Sequence, residues 1–255
     1  MKRVDSVISL IYSMSKAEKK AFSVQMLKDK EEKDYLVIYD IITKSKQLDS
    51  KNVKGEFHKR RPGGSFEVSI QYLYERLTDS LLTLRKKKDI YYDLLNNLCK
   101  ARMLYERSLF EECFEILSDT IEQATYYENN EVLTIALKLE LEYLLRLNFP
   151  NLAESELYHK HFMQNEALKK TRKIVEQSSL HNLLKYRLSH IGSIRTSKQK
   201  QDMNDLMVNE LSIAASSGIE GNFELMRNHR LFQANYLMGA GEYKAALNSY
   251  KELSR

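Results

Sequence analysis

The sequence predicts an all-α protein, an α-solenoid of antiparallel helix pairs behind an N-terminal helical head. Three observations carry this. The 255 residues contain only two prolines and eight glycines, whereas a strand-rich fold needs turn residues every eight to twelve positions or so. Apolar residues recur at the 3.6-residue helical period along much of the chain. The breaks between periodic segments lie mostly about 18 to 26 residues apart, so helix pairs return every 35 to 45, the spacing of helical repeat proteins.

The elements follow in order. Ser15-Lys16-Ala17-Glu18 is a capping box, in which Ser15 accepts from a first-turn amide and Glu18 reaches back. The helix it opens runs to about Leu27, with Phe22 and Met26 on one face, and the charged run 28–34 breaks it. Residues 35–46 place Leu36, Tyr39 and Ile42 at helical spacing, and residues 50–58 form a shorter helix. Pro62-Gly63-Gly64 is the strongest turn signal in the chain. After it, Phe66, Ile70, Leu73, Leu77, Leu81 and Leu84 keep the helical period over five turns. The cations 85–88 close that helix at the negative end of its dipole. Residues 1–88 are therefore read as a basic helical region and 89–255 as a helical repeat region. Breaks in the latter are expected near Leu109, Asn129, Pro150, Thr171, Ser197, residues 218–222 and Gly241.

The last of these segments carries a resemblance. Ala234, Gly241, Tyr243, Ala246 and Tyr250 stand at the spacing of a tetratricopeptide repeat: a small residue, the turn glycine, an aromatic, the packing alanine and a second aromatic. Ala101, Ser108, Phe110, Cys113 and Leu117 repeat the offsets with serine at the turn and cysteine at the packing position. Leu141, Asn148, Pro150, Ala153 and Leu157 form a third, weaker copy, and 176–217 fits a pair by helix length alone. The chain resembles a tetratricopeptide-repeat bacterial protein over roughly residues 90–255, and the opening SMSKAEKKAF is similar to the start of long proteins of that kind. The resemblance implies a solenoid whose concave side, lined by the first helix of each pair, binds a peptide or helix. Registering the helices on that pattern puts Arg102, Tyr105, Lys138, Glu142, Arg146, Asn228 and Asn235 in the groove. Asn can donate and accept at once, and Arg can bind a carboxylate through two parallel hydrogen bonds.

Catalytic chemistry is not expected. No GxxxxGK[ST], GxGxxG or GxSxG is present. Glu156 and His159 form an ExxH pair, but carboxylate-bridged di-metal bundles use two and the chain has one. His159 and His161 are two apart and face different sides of a helix. Cys99 and Cys113 are the only cysteines and form no CxxC pair. A disulfide scaffold and a cysteine zinc site are therefore excluded, and a reducing cytoplasm is the expected setting. Among the sixteen tyrosines, the doublets Tyr91-Tyr92 and Tyr126-Tyr127 are read as one packed ring and one surface ring each. No cofactor or metal is implied. No run approaches the roughly 20 apolar residues of a membrane helix, and Asp5 interrupts the short apolar stretch that follows the basic start.

The charge is uneven. Residues 1–100 carry 21 Lys and Arg against 14 Asp and Glu, whereas 101–255 carry 19 against 21. Lys44, Lys46, Lys51, Lys54, Lys59, Arg60 and Arg61 concentrate the excess in 44–61.

The leading expectation is a non-enzymatic protein-interaction scaffold with a protein or peptide partner. The alternative is a nucleic-acid-binding regulator that uses the helices from 35, 50 and 65 as a helix-turn-helix-like head, with Lys54, Lys59, Arg60 and Arg61 on the phosphates. The best repeat is also the last, and Ser254-Arg255 follow its second helix directly. The chain is thus expected to continue in a longer protein, or to cover its C-terminal repeat face with another copy.

Overall fold

A computed structural model describes residues 2–26, 33–44, 49–86, 88–191, 194, 196–217 and 222–253. The charged run 28–34, Lys46, Lys87, most of the break at 218–222 and the last two residues lie wholly or partly outside this set, as does the side chain of Met26. Every regular element among the described residues is a helix. None is long and apolar enough to cross a membrane. The chain divides into two compact units, Met1–Asp93 and Leu94–Arg255.

The first unit contains α1 (Lys2–Ser13), α2 (Lys16–Met26), α3 (Asp34–Lys44), α4 (Ser50–Arg60) and α5 (Phe66–Lys86). In α1, Val4, Val7, Ile8 and Ile11 form one buried stripe, the i, i+3, i+4, i+7 pattern of a helix with one apolar face. The capping box forms as the sequence requires: Glu18 N–H donates to Ser15 Oγ at 3.3 Å, and Ser15 N–H donates to the Glu18 carboxylate at 2.8 Å. The Ser15 N–H, and the Ser15 hydroxyl that donates to the same carboxylate at 2.8 Å, hold the Glu18 carboxyl below its usual range. Helix α3 is buried nearly all round, through Tyr35, Val37, Ile38, Tyr39, Ile41 and Ile42. That pattern places it at the centre, and α1, α4 and α5 pack around it.

Asp49 caps α4 by accepting from Asn52 N–H at 2.8 Å. Pro62-Gly63-Gly64 then makes the turn into α5. Gly64 is required there by close approach, since a Cβ would lie 2.8 Å from both Phe57 Cζ and Asp34 Oδ2. Phe66, Ile70, Leu73 and Leu77 of α5 are all buried, which bears out the helical reading of that segment.

The second unit begins within α6 (Ile90–Glu106) and continues through α7 (Phe110–Tyr126), α8 (Asn130–Arg146), α9 (Glu154–Ile191), α10 (Ser197–Gln201), α11 (Asn204–Ser217), α12 (Phe223–Gly239) and α13 (Tyr243–Leu253). Helices α6, α7, α8 and α12 each have 17 residues. The same turn ends all four. Leu109 N–H donates to Leu104 O, Asn129 to Ala124, Phe149 to Leu144 and Glu242 to Leu237. Inside each of these bonds, Ser108, Glu128, Asn148 and Gly241 donate to the carbonyl three residues back. These four residues have φ of 60°, 52°, 59° and 83°. The hydrogen bonds are those of the Schellman motif, in which a left-handed residue lets the chain reverse and satisfies the last carbonyls; after α8, Phe149 is left-handed as well, with φ of 53°. Ser108, Asn148 and Gly241 are the three positions aligned on the repeat's turn glycine.

The first three turns recur every twenty residues, from Leu104 to Ala124 to Leu144. Two helices thus span forty residues, against about 34 in a tetratricopeptide repeat. The packing positions Ala101, Cys113, Ala234 and Ala246 are buried.

The sequence reading fails at several points. No break occurs at Thr171: α9 runs unbroken for 38 residues, about 57 Å at 1.5 Å per residue. Residues 154–191 contain neither glycine nor proline, and the Thr171 hydroxyl donates to Ala167 O at 2.9 Å within the helix. The ion pairs Lys169–Glu166 and Arg172–Glu176 lie on either side of the expected break. The expected pair 176–217 is instead the second half of α9 with α10 and α11. Helix α9 packs against α8, α11 and α12, so it serves as a common wall. In the third repeat copy, Pro150 and Ala153 precede α9 and belong to the connection. Both rings of each tyrosine doublet are exposed, because the doublets lie at helix ends, where the rings meet edge to face (centroids 6.1 and 4.9 Å). Tyr243 is 68% exposed, so the first aromatic of the last repeat fills no gap.

Candidate functional site

The groove residues separate into two groups. Tyr105, in the last turn of α6, stacks face to face on Tyr143 of α8, with ring centroids 3.7 Å apart and planes 7° from parallel. The Phe110 ring of α7 lies 5.3 Å from the Tyr105 ring. This stack joins α6 to α8 and brings their polar residues together: Arg102, Glu106 and Glu142 all lie near enough to bias the Tyr143 phenol. Burial pushes that phenol above its usual pKa, and Cys113 beside it acts in the same direction. The Cys113 thiol is itself raised by burial, which suits an inert packing residue.

Around the stack, Arg102 pairs with Glu106 at 3.3 Å and Arg146 with Glu142 at 2.5 Å, along their own helices. Lys138, Glu142 and Arg146 follow at four-residue intervals and share one side of α8. Arg102, Lys138 and Arg146 are exposed.

Asn228 and Asn235 do not line an open surface. They are 6% and 2% exposed and face α9. Asn228 Nδ2 donates to Ser178 Oγ at 3.1 Å. Asn235 Nδ2 lies 3.0 Å from His181 Nε2, and Asn235 Oδ1 accepts from the Tyr250 hydroxyl at 3.3 Å. The physical reason is the long α9, which occupies the space a regular groove would leave open beside α12. His181 is held below its usual pKa by burial, with Lys185 adding to the effect, and the neutral ring suits a nitrogen that accepts from an amide.

Two buried acids escape a reading based on surface residues. Glu140 is 6% exposed and binds Lys160 Nζ at 2.8 Å. Glu210 is fully buried and lies 2.5 Å from His229 Nδ1. In each carboxylate Oε2 has no hydrogen-bond partner among the described residues. The signal was present for Glu140, whose neighbours at three and four residues are Ala136, Leu137, Tyr143 and Leu144, all buried.

In the first unit, the four cations assigned to phosphate are each engaged by a carboxylate: Lys54 by Glu67 (2.5 Å), Lys59 by Glu56 (2.7 Å), Arg60 by Asp40 (3.1 Å) and Arg61 by Asp34 (3.6 Å). The four acids offset the positive charge that a phosphate backbone would meet there. His159 and His161 are exposed, and no group of three or more potential metal ligands occurs among the described residues.

The fold and this surface define an all-helical protein with charged residues on α6 and α8 above a stack of half-buried Tyr105 on buried Tyr143. No family model, curated protein or solved structure matches the chain.

Proposed function

We propose that the second unit is a non-enzymatic protein-interaction scaffold that holds an extended peptide or a helix across α6 and α8. The observation that carries this reading is the Tyr105–Tyr143 stack, which joins the two helices and brings Arg102 and Glu106 of α6 near Glu142 of α8. The pairs Arg102–Glu106 and Arg146–Glu142 are solvent-exposed, and such pairs contribute only about 0.2–1 kcal/mol. Both guanidinium groups can therefore exchange a neighbouring acid for a partner's carboxylate at small cost.

The test is selection from a displayed peptide library, followed by titration of the best synthetic peptide. Arg102→Ala and Arg146→Ala should each weaken it about thirtyfold, the equivalent of a hot-spot loss of about 2 kcal/mol. Melting temperatures should stay unchanged, because neither side chain is buried. If no peptide is enriched, or if both variants bind like the wild type, the reading fails.

A further inference from the structure

The first unit holds an open cavity of about 400 Å³ between α1, α4 and α5, well separated in sequence from the α6–α8 surface. Its volume lies at the lower end of the range for small-molecule sites, about 300–1,000 Å³. Three cations line it: Arg3 from α1, and Lys51 and Lys54 from α4. Glu67 is the one acid in the lining, and Lys54 already holds it at 2.5 Å. The side chains thus leave an excess of two positive charges. The Arg3 guanidinium is held 4.3 Å from the centre of the Tyr74 ring, an attraction that orders the side chain. Val4, Phe66 and Ile70 supply the apolar part of the wall, and each belongs to the buried core of the unit. The residues from α1, α4 and α5 all come from the first two turns of their helices, so the positive ends of three helix dipoles add to the field of the cations.

We propose that this cavity binds a small organic monoanion with an apolar body, of the class of medium-chain or aromatic carboxylates. The carboxylate meets Arg3 and Lys51 at the rim, and the hydrocarbon lies on Val4, Phe66 and Ile70. Charge complementarity selects the anion. The mixed lining selects against an ion without a hydrocarbon part, since inorganic phosphate or acetate would leave the apolar wall wet.

Isothermal titration of the full chain with octanoate, with amide NMR in parallel, tests this. Saturable binding at one site is expected, with shifts centred on Lys51, Lys54 and Phe66. Acetate, inorganic phosphate and 1-octanol should each bind at least about tenfold more weakly, a tenfold step being 1.4 kcal/mol. Lys51→Glu, an exposed substitution, should weaken octanoate about tenfold or more without moving the melting temperature. The proposal is overturned if octanoate does not saturate or if the shifts fall on other residues. Phosphate or 1-octanol matching octanoate, or an unaffected Lys51→Glu, would overturn it equally.

Discussion

In the first unit the core is almost purely hydrocarbon and aromatic: α1, α3, α4 and α5 close on Ile11, Ile38, Phe57 and Leu73, and the buried polar residues among those described are Ser69 and Ser80. In the second unit the interior also takes in Thr120, Asn130, Glu140, Gln177, Glu210, Asn222, Asn228 and Asn235. Both are helical and both are punctuated by caps and tight turns, so the difference lies in how neighbouring helices choose each other. Apolar contact is non-directional, and an interleaved five-helix core uses many such contacts from different directions. Helices packed along α9 add directional contacts, with Glu140 of α8 on Lys160, and Asn228 and Asn235 of α12 on Ser178 and His181. Buried polar groups are held to strict geometry because an unmet partner costs more than a met one contributes.

The largest effect should come from the apolar unit. Phe57 is fully buried, touches Phe66 at a ring separation of 5.5 Å and fills the space left by Gly64. Phe57→Ala should destabilise the first unit by about 3–5 kcal/mol, the loss for a large aromatic that leaves a cavity. Amide hydrogen exchange in α3 is the measurement, and a loss below about 1 kcal/mol would show that the core collapses around the gap.

The polar side of the comparison is sharpened by Lys160→Met. It removes the cation bound to Glu140, whose second oxygen is without a hydrogen-bond partner among the described residues. Breaking a fully buried pair costs about 3–5 kcal/mol. The Lys160 side chain is 24% exposed, so solvent screening reduces the expected loss to about 2 kcal/mol. The double variant Glu140→Leu/Lys160→Met should recover most of it, because a matched apolar pair replaces a buried charge. Urea unfolding of both variants decides the point. A single-variant loss of a few tenths of a kcal/mol, as for a surface pair, would mean that Glu140 is effectively solvated.

What was legible in the sequence follows the same division. Local rules worked where one short stretch holds the whole signal: the Ser15–Glu18 box, the Pro62-Gly63-Gly64 turn, the apolar ladder of α5 and the turn positions Ser108, Asn148 and Gly241. They failed where the outcome depends on what a distant helix does. Thr171 looks like a break only if an even helix length is imposed, and nothing local stops α9 there. Asn228 and Asn235 were placed in a groove by register alone, whereas α9 covers them. The α6–α8 surface was half legible. Arg102, Tyr105, Lys138, Glu142 and Arg146 were named, but Tyr143, the ring that brings the two helices together, was not, because a stack between helices forty residues apart leaves no mark on either.

The smallest expected effect tests the turns themselves, a device that α6–α8 and α12–α13 share. Ser108 and Gly241 occupy the same place in the same motif, with φ of 60° and 83°. A residue with a Cβ is strained in that region by roughly 1–2 kcal/mol, while glycine is not, although glycine loses more backbone freedom on folding. The two effects oppose each other, so Ser108→Gly should stabilise by somewhat less than the strain, about 0.5–1 kcal/mol. Gly241→Ser should cost about the same amount. A Cβ at Gly241 would meet nothing within 4 Å, so backbone strain alone accounts for its loss. For a chain of this size about 1 kcal/mol moves the melting temperature by about 2–4 °C. Scanning calorimetry of the two single variants should therefore show shifts of opposite sign and similar size. Shifts of the same sign would mean that the serine hydroxyl, not the left-handed backbone, decides the stability of the α6–α7 turn, and that the two turns are alike in shape only.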